Sequence, residues 1–377
     1  MAFIHGITGY FLPFVVILTL LVFVHEMGHF LIARRNGVKV EIFSIGFGPE
    51  LFGWTAKSGT RWKISALPLG GYVKMYGDTD AASTGVEDSH PMTAEEEAVS
   101  FHHKRVGQRA AIVAGGPLSN FLFAILLLSA LYMTVGQPYT LPSVASVQPD
   151  SAAAEAGLQP GDLVKSVDGK PIARFQDLQR IIQSSAGQHL SMVVARDGSD
   201  MTIEVTPKVN EFTDHFGNHQ RVGLLGVTSS QMKVIKLDPA NAIGQAVTET
   251  WDLCVGTLHA VGQMIAGTRG TEEIGGILRI ASMSGQVAQD GFAAQVWFVA
   301  LLSINLGLIN LFPIPVLDGG HLMFYAAEAL RGRPLGKRVQ EYGSMAGLAA
   351  VLALMVFATW NDLVQMHVFQ FFASLIS

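Results

Sequence analysis

His25 and His29 stand four residues apart with Glu26 between them, in the run His25-Glu26-Met27-Gly28-His29. Residues i and i+4 share one face of an α-helix. Both imidazoles can therefore bind one Zn²⁺ while the glutamate activates a water at the metal. The setting is unusual for that chemistry. From Phe11 to Ala33 the chain is apolar, and Glu26 is its only full charge. An ionisable side chain at bilayer depth costs roughly 2.5–3.5 kcal/mol on insertion scales, so its presence needs a functional reason. The pairing implies peptide hydrolysis within a membrane.

The elements that must position these residues follow from composition. The chain has 377 residues, 49% hydrophobic and only 15% charged, with a mean hydropathy of +0.36. Soluble domains carry nearer a quarter charged residues, so an integral membrane protein is expected. The net charge of −5 gives no sign of nucleic-acid binding, and the single Cys254 excludes an intrachain disulfide and argues against a cysteine-based metal site. The N-terminus lacks a basic region ahead of its apolar run, so no cleavable signal peptide is expected.

Four stretches are long and apolar enough to cross a bilayer, about Gly9–Ala33, Ala110–Val135, Phe292–Leu317 and Ser344–Trp360. Ten Lys/Arg lie between Arg34 and Arg109, and Arg331, Arg333, Lys337 and Arg338 fill the short link between spans three and four. The positive-inside rule places both regions in the cytoplasm. Both termini and the long region 136–291 then lie outside. Spans one and three run in the same direction.

That topology selects a third metal ligand. His25 and His29 sit late in span one, and Asp318 at the late end of span three, so all three fall near the cytoplasmic side. At about 1.5 Å per residue, His29 is within ~10 Å of Arg34 and Arg35. Spans two and four have no His, Asp or Glu in their apolar stretches. Pro313 and Pro315 break the helix just before Asp318, which is tolerated where backbone lines a cavity. Asn305 and Asn310, earlier in the same span, need polar partners, which a substrate backbone or interhelical hydrogen bonds would supply. His321, three residues after Asp318, is a candidate outer partner of the site.

In the cytoplasmic loop, Thr60–Leu67 alternates with period two. Pro68-Leu69-Gly70-Gly71 then turns into the β-prone Tyr72–Tyr76, so a β-hairpin is expected over 60–76. The acidic stretch from Asp78 to Ala98 reads as mobile. Outside, residues 140–208 alternate short strands and turns. Ser151–Val164 and Ser166–Gly169 look like the core of a PDZ domain, with a groove helix over Phe175–Ser184 and closing strands over Ser191–Pro207. Residues 209–239 give weak strand signals. Residues 240–290 read as amphipathic helices, with Trp251, Leu253, Leu258 and Met264 on the membrane surface.

His25–His29, Gly115–Asn120, the PDZ-like insert and the Asn305–Asp318 run together resemble the site-2 protease family of intramembrane zinc metalloproteases, in the branch of the bacterial regulator of sigma-E protease. The resemblance covers nearly the whole chain. It implies an α-helical polytopic membrane protein of about four transmembrane helices, with a cytoplasmic-side β-hairpin and an inserted extracytoplasmic PDZ domain of α+β class. The halves of the protease core would be 1–135 and 292–377. Between them, 140–208 would be the periplasmic PDZ domain and 209–291 a linker with membrane-surface helices. It further implies zinc held by His25, His29 and Asp318, catalysis by Glu26, and substrate contacts from Asn305, Asn310 and the hairpin residues Gly70, Gly71, Tyr72 and Val73. The implied setting is the bacterial inner membrane and its lipids, with the active site near the cytoplasm. The implied substrates are single-span proteins such as an anti-sigma factor, trimmed first by a site-1 protease, or remnant signal peptides. Enterobacterial members carry two tandem PDZ domains; this chain has room for one.

Overall fold

The computed structural model describes residues 7–77, 92–213, 219–268, 270 and 275–365. They divide into two compact units, one of Met1–Ala130 with Asn241–Ser377 and the other of Leu131–Ala240.

The first unit opens with a short π-helical turn, Ile7–Phe11, leading into α1 (Leu12–Arg35). Pro13 suits the first turn, whose N–H groups have no partner within the helix, and Arg34 and Arg35 close the C-terminal end, where cations favour the helix dipole. Two long strands follow, β1 (Val40–Thr55) and β2 (Arg61–Met75).

The expected hairpin over 60–76 is corrected here. Residues 61–67 and 71–75 do not pair with each other, because 40–45 lies between them. Phe43 is opposite Val73 on one side and Trp62 on the other, while Phe52 and Trp54 reach Ile64 and Trp62 from beyond. The chain folds back sharply at Gly46 (φ +90°), where a Cβ would meet the Leu67 carbonyl oxygen at 2.7 Å. The inner strand is packed, with Phe43 stacked on Trp62 at 4.4 Å and edge-on to Phe30 of α1. On the outer arm, Leu51, Phe52 and Trp54 are exposed.

Residues 78–91 of the expected mobile stretch lie outside the described residues. The remainder forms α2 (Ala94–Val99), closed by a capping box in which Thr93 and Glu96 satisfy each other's backbone N–H. Next, α3 (Val106–Thr134) carries the chain into the second unit.

That unit contains β3 (Gln137–Thr140), β4 (Ser146–Val147), α4 (Ala152–Glu155), β5 (Leu163–Val167), β6 (Lys170–Pro171), α5 (Phe175–Ser184), β7 (Leu190–Arg196) and β8 (Ser199–Val205). Then come β9 (Lys208–Thr213), β10 (His219–Leu224), β11 (Val227–Thr228) and β12 (Met232–Ile235). Strands β6-β5-β7-β8 form the main sheet. Asp168-Gly169 and Asp197-Gly198, all at positive φ, make the two-residue turns that join β5 to β6 and β7 to β8. The helix expected over 175–184 is present, with Leu178 and Ile182 in the core. The domain boundary at 208 moves, because β11 pairs with β4 and β12 with β3. The described residues of 209–235, expected as linker, thus complete this unit. Inside it, Arg196 donates two hydrogen bonds of 2.7 Å to the buried Asp162 and holds its carboxyl below the ordinary carboxylate range.

The first unit resumes with α6 (Pro239–Ile265), α7 (Ile277–Gln289), α8 (Phe292–Asn310), α9 (Asp318–Arg331) and α10 (Lys337–Gln365). Buried Asp362 of α10 accepts from the Gly276 and Arg279 N–H groups at 2.9 and 3.0 Å, capping α7 from another helix. Among the described residues, four helices are long and apolar enough to cross a membrane: Gly9–Arg35, Val106–Thr134, Phe292–Asn310 and Arg338–Gln365. The third ends seven residues before the expected Leu317, since Pro313 and Pro315 cannot donate to a continuing helix. The apolar tail 366–377 lies outside the described residues.

Candidate metal centre

Helix α1 puts the His25 and His29 Nε2 atoms 3.2 Å apart. Both side chains are buried, at 9% exposure each. They fit because α3 crosses α1 closely. Gly28 lies against the Gly115 carbonyl, and Gly116 faces both imidazoles, so a Cβ there would meet His25 Cε1 at 2.8 Å and collide with His29 Nε2. Ser119 Oγ donates to the Val24 carbonyl at 2.7 Å and fixes the crossing one residue before His25. The two glycines therefore serve close packing and leave room for the rings.

Asp318 arrives from the other side as the first residue of α9. Its Oδ2 is 3.1 Å from His25 Nε2 and its Oδ1 3.5 Å from His29 Nε2. Ligand atoms about 2.0–2.1 Å from a tetrahedral zinc lie roughly 3.3–3.4 Å apart. With each imidazole paired to its nearer carboxylate oxygen, the separations are 3.1, 3.2 and 3.5 Å, close to that spacing, and one ligand atom from each residue lies within 4.8 Å of the other two. Asp318 Oδ2 is buried without a hydrogen-bond partner, as expected of an oxygen aimed at a cation. The donor set and its spacing fit zinc. On the far side of one ring, His29 Nδ1 donates to the Ile112 carbonyl at 2.9 Å, which leaves the Nε2 lone pair facing the other two ligands.

The approach to Asp318 is strained. Val316 has φ +93°, which a β-branched residue adopts only under constraint. Gly319 and Gly320 then press onto the carbonyls of Leu311, Phe312 and Ile314, so α9 starts folded against the preceding loop.

Glu26 opens onto a cleft of about 210 Å³ shared by His25, His29, Gly71, Tyr72, Val73, Asn310, Asp318 and His321. A Cβ on Gly71 would meet Glu26 Cγ at 3.4 Å, so residues 71–73 pass beside the glutamate. Eight of the ten expected site residues thus meet: His25, Glu26, His29, Gly71, Tyr72, Val73, Asn310 and Asp318. Asn305, half-buried on α8, and Gly70 are not among the residues lining the cleft.

Sequence reasoning missed three supports. Asn120 contacts the outer nitrogen of His25 at 3.2 Å. Tyr325 lines the cleft one helical face along from Asp318 and His321. Arg109 of α3 pairs with Glu328 of α9 at 2.6 Å and lies over the Tyr325 ring at 4.9 Å. The period of α9 offered a signal for Tyr325 and Glu328, since residues 318, 321, 325 and 328 share one face, while Asn120 ends the Gly115–Asn120 run with no role read for it.

Residues 13–354 match Peptidase family M50. A protein of Agrobacterium fabrum, named provisionally as a zinc metalloprotease, is 45% identical over 95% of this chain and 96% of its own length. A Caulobacter vibrioides protein named Metalloprotease MmpA is 37% identical over 96% of this chain and 97% of its own. Among solved structures, the PDZ domain of an SdrC-like protein from Listeria monocytogenes is 24% identical, over 24% of this chain and 88% of that one, with a TM-score of 0.19.

Proposed function

The chain belongs to peptidase family M50, the zinc metalloproteases of membranes, and from that premise we propose that it cuts a peptide bond within the membrane segment of single-span proteins. One observation carries the reading: His25, Glu26 and His29 lie on a helix that is itself a candidate membrane span, and Asp318 meets them there.

His25, His29 and Asp318 would hold zinc, which supplies Lewis acidity toward the scissile carbonyl and makes water a stronger acid. Glu26 takes the proton of the attacking water and passes it to the leaving amine. A transmembrane helix hides its carbonyls in its own hydrogen bonds, so the substrate must unwind before cleavage. Residues 71–75 pair with 40–45, and Gly71, Tyr72 and Val73 line the cleft beside Glu26, which supports this strand as the edge that receives unwound substrate by β-addition. Asn310 at the cleft wall adds an amide that can hold a substrate backbone group. Asn305 is proposed to contact substrate further along the same helix.

The basic loops support an orientation with the site near the cytoplasm and with both termini and the PDZ-like unit outside, in a bacterial inner membrane. The fitting substrates are anti-sigma factors already cut by a site-1 protease, or remnant signal peptides.

Mass spectrometry of products from a single-span substrate, co-reconstituted with the purified protein in vesicles, tests this. The expected cut lies inside the apolar segment and nearer its cytoplasmic end. Cuts confined to the soluble flanks would overturn the proposal.

A further inference from the structure

Resting on the zinc reading above, we propose that Asn120 is the positioning residue of His25, with its side-chain carbonyl oxygen accepting the Nδ1–H so that Nε2 keeps its lone pair for the metal.

The argument is a count of protons. A neutral imidazole has one N–H, and a ligating nitrogen must be the one without it. For His29 the arrangement is complete, since Nδ1 donates to the Ile112 carbonyl at 2.9 Å. For His25 the Nε2 faces His29 Nε2 and Asp318, so the proton belongs on Nδ1. The group facing that Nδ1 is the Asn120 carboxamide, 3.2 Å away. Asn120 is fully buried, with 0% exposure, so bulk water does not replace it.

The two ends of a carboxamide differ in consequence. With the NH₂ end toward Nδ1, the amide needs a lone pair there, which forces the proton onto Nε2 and removes a metal ligand. In that orientation Asn120 Oδ1 is also buried without a hydrogen-bond partner. Half a turn about the last side-chain bond exchanges the two atoms and places the oxygen against Nδ1–H. The backbone is held for this task. Ser303 Oγ of α8 donates to the Asn120 carbonyl at 2.8 Å, and Gly307 brings α8 close to the Asn120 Cβ. Three helices thus meet at one outer nitrogen of one ligand.

The test measures zinc affinity of the stripped full-length protein in detergent by competition with a chelating dye, together with thermal unfolding of the zinc-free protein. Asn120→Leu removes the acceptor and is expected to weaken zinc binding about 10–100-fold. Asn120→Asp keeps an oxygen in the same place and is expected to stay within about threefold of the parent. Ser303→Ala, which loosens the backbone support of Asn120, is expected to lower the unfolding temperature slightly and to weaken zinc binding by less than Asn120→Leu. Equal weakening by Asp and Leu would show that the NH₂ end matters and would overturn the assignment. So would an unchanged affinity in Asn120→Leu. A parent protein that binds no zinc would instead overturn the metal reading on which the assignment rests.

Discussion

Helix α1 sets His25 and His29 in mid-helix by its period alone, whereas α9 offers Asp318 as its first residue, after a broken and strained approach. On α1 the ligands are four residues apart in an unbroken helix of 24 residues, and the ring support comes from neighbouring carbonyl and amide groups. On α9 the ligand follows Pro313, Pro315 and Val316 at φ +93°. Its azimuth is fixed ten residues later by the Arg109–Glu328 pair. One half of the metal site is local, and the other is built by tertiary contacts. The local half should tolerate distant changes, and the tertiary half should not.

The largest expected effect removes a ligand from either side. His29→Ala and Asp318→Ala should both weaken zinc binding by more than the 10–100-fold typical of an outer partner and abolish cleavage. Dye competition checks this, and an Asp318→Ala protein with parental zinc affinity would separate α9 from the site.

Next is the Arg109–Glu328 pair, whose side chains are 12% and 10% exposed. Glu328→Ala strands a buried guanidinium and should destabilise the protein by about 3–5 kcal/mol, measured by denaturant or thermal unfolding. Replacing both residues by Leu should cost less than the single change. If α9 is held by this clamp, Glu328→Ala also weakens zinc binding, while the His25–His29 spacing does not need it.

The smallest concerns strain. Val316→Gly relieves a conformation worth roughly 1–3 kcal/mol, against about 0.5–1 kcal/mol of added chain entropy. Unfolding temperature should hold or rise while cleavage slows several-fold, because Asp318 is then less firmly presented. A large loss of stability would mean that the Val316 side chain matters more than its backbone.

The same contrast explains what was legible in the sequence. The His25–His29 face follows from helical period, and the four apolar helices from length and composition. The Asp-Gly turns at 168–169 and 197–198 are likewise local signals. Asp318 required the added step of reading topology from Arg and Lys placement. Strand 40–45 went unread because two alternating runs flanking Gly70-Gly71 look like partners, and nothing local reveals a third strand between them. The pairing of β11 and β12 with β4 and β3 was hidden for the same reason, since it joins segments about eighty to a hundred residues apart. Asn120 and Glu328 act across 95 and 219 residues, a distance no periodicity reports.

The central claim is that Glu26 moves protons at a metal it does not hold. A Glu26→Gln protein, purified in detergent and assayed for zinc content and for cleavage of a single-span substrate, tests it most directly. The expected result is one zinc per chain, as in the parent, with cleavage reduced by about 10²–10⁴-fold. Parental cleavage by this variant would contradict the account.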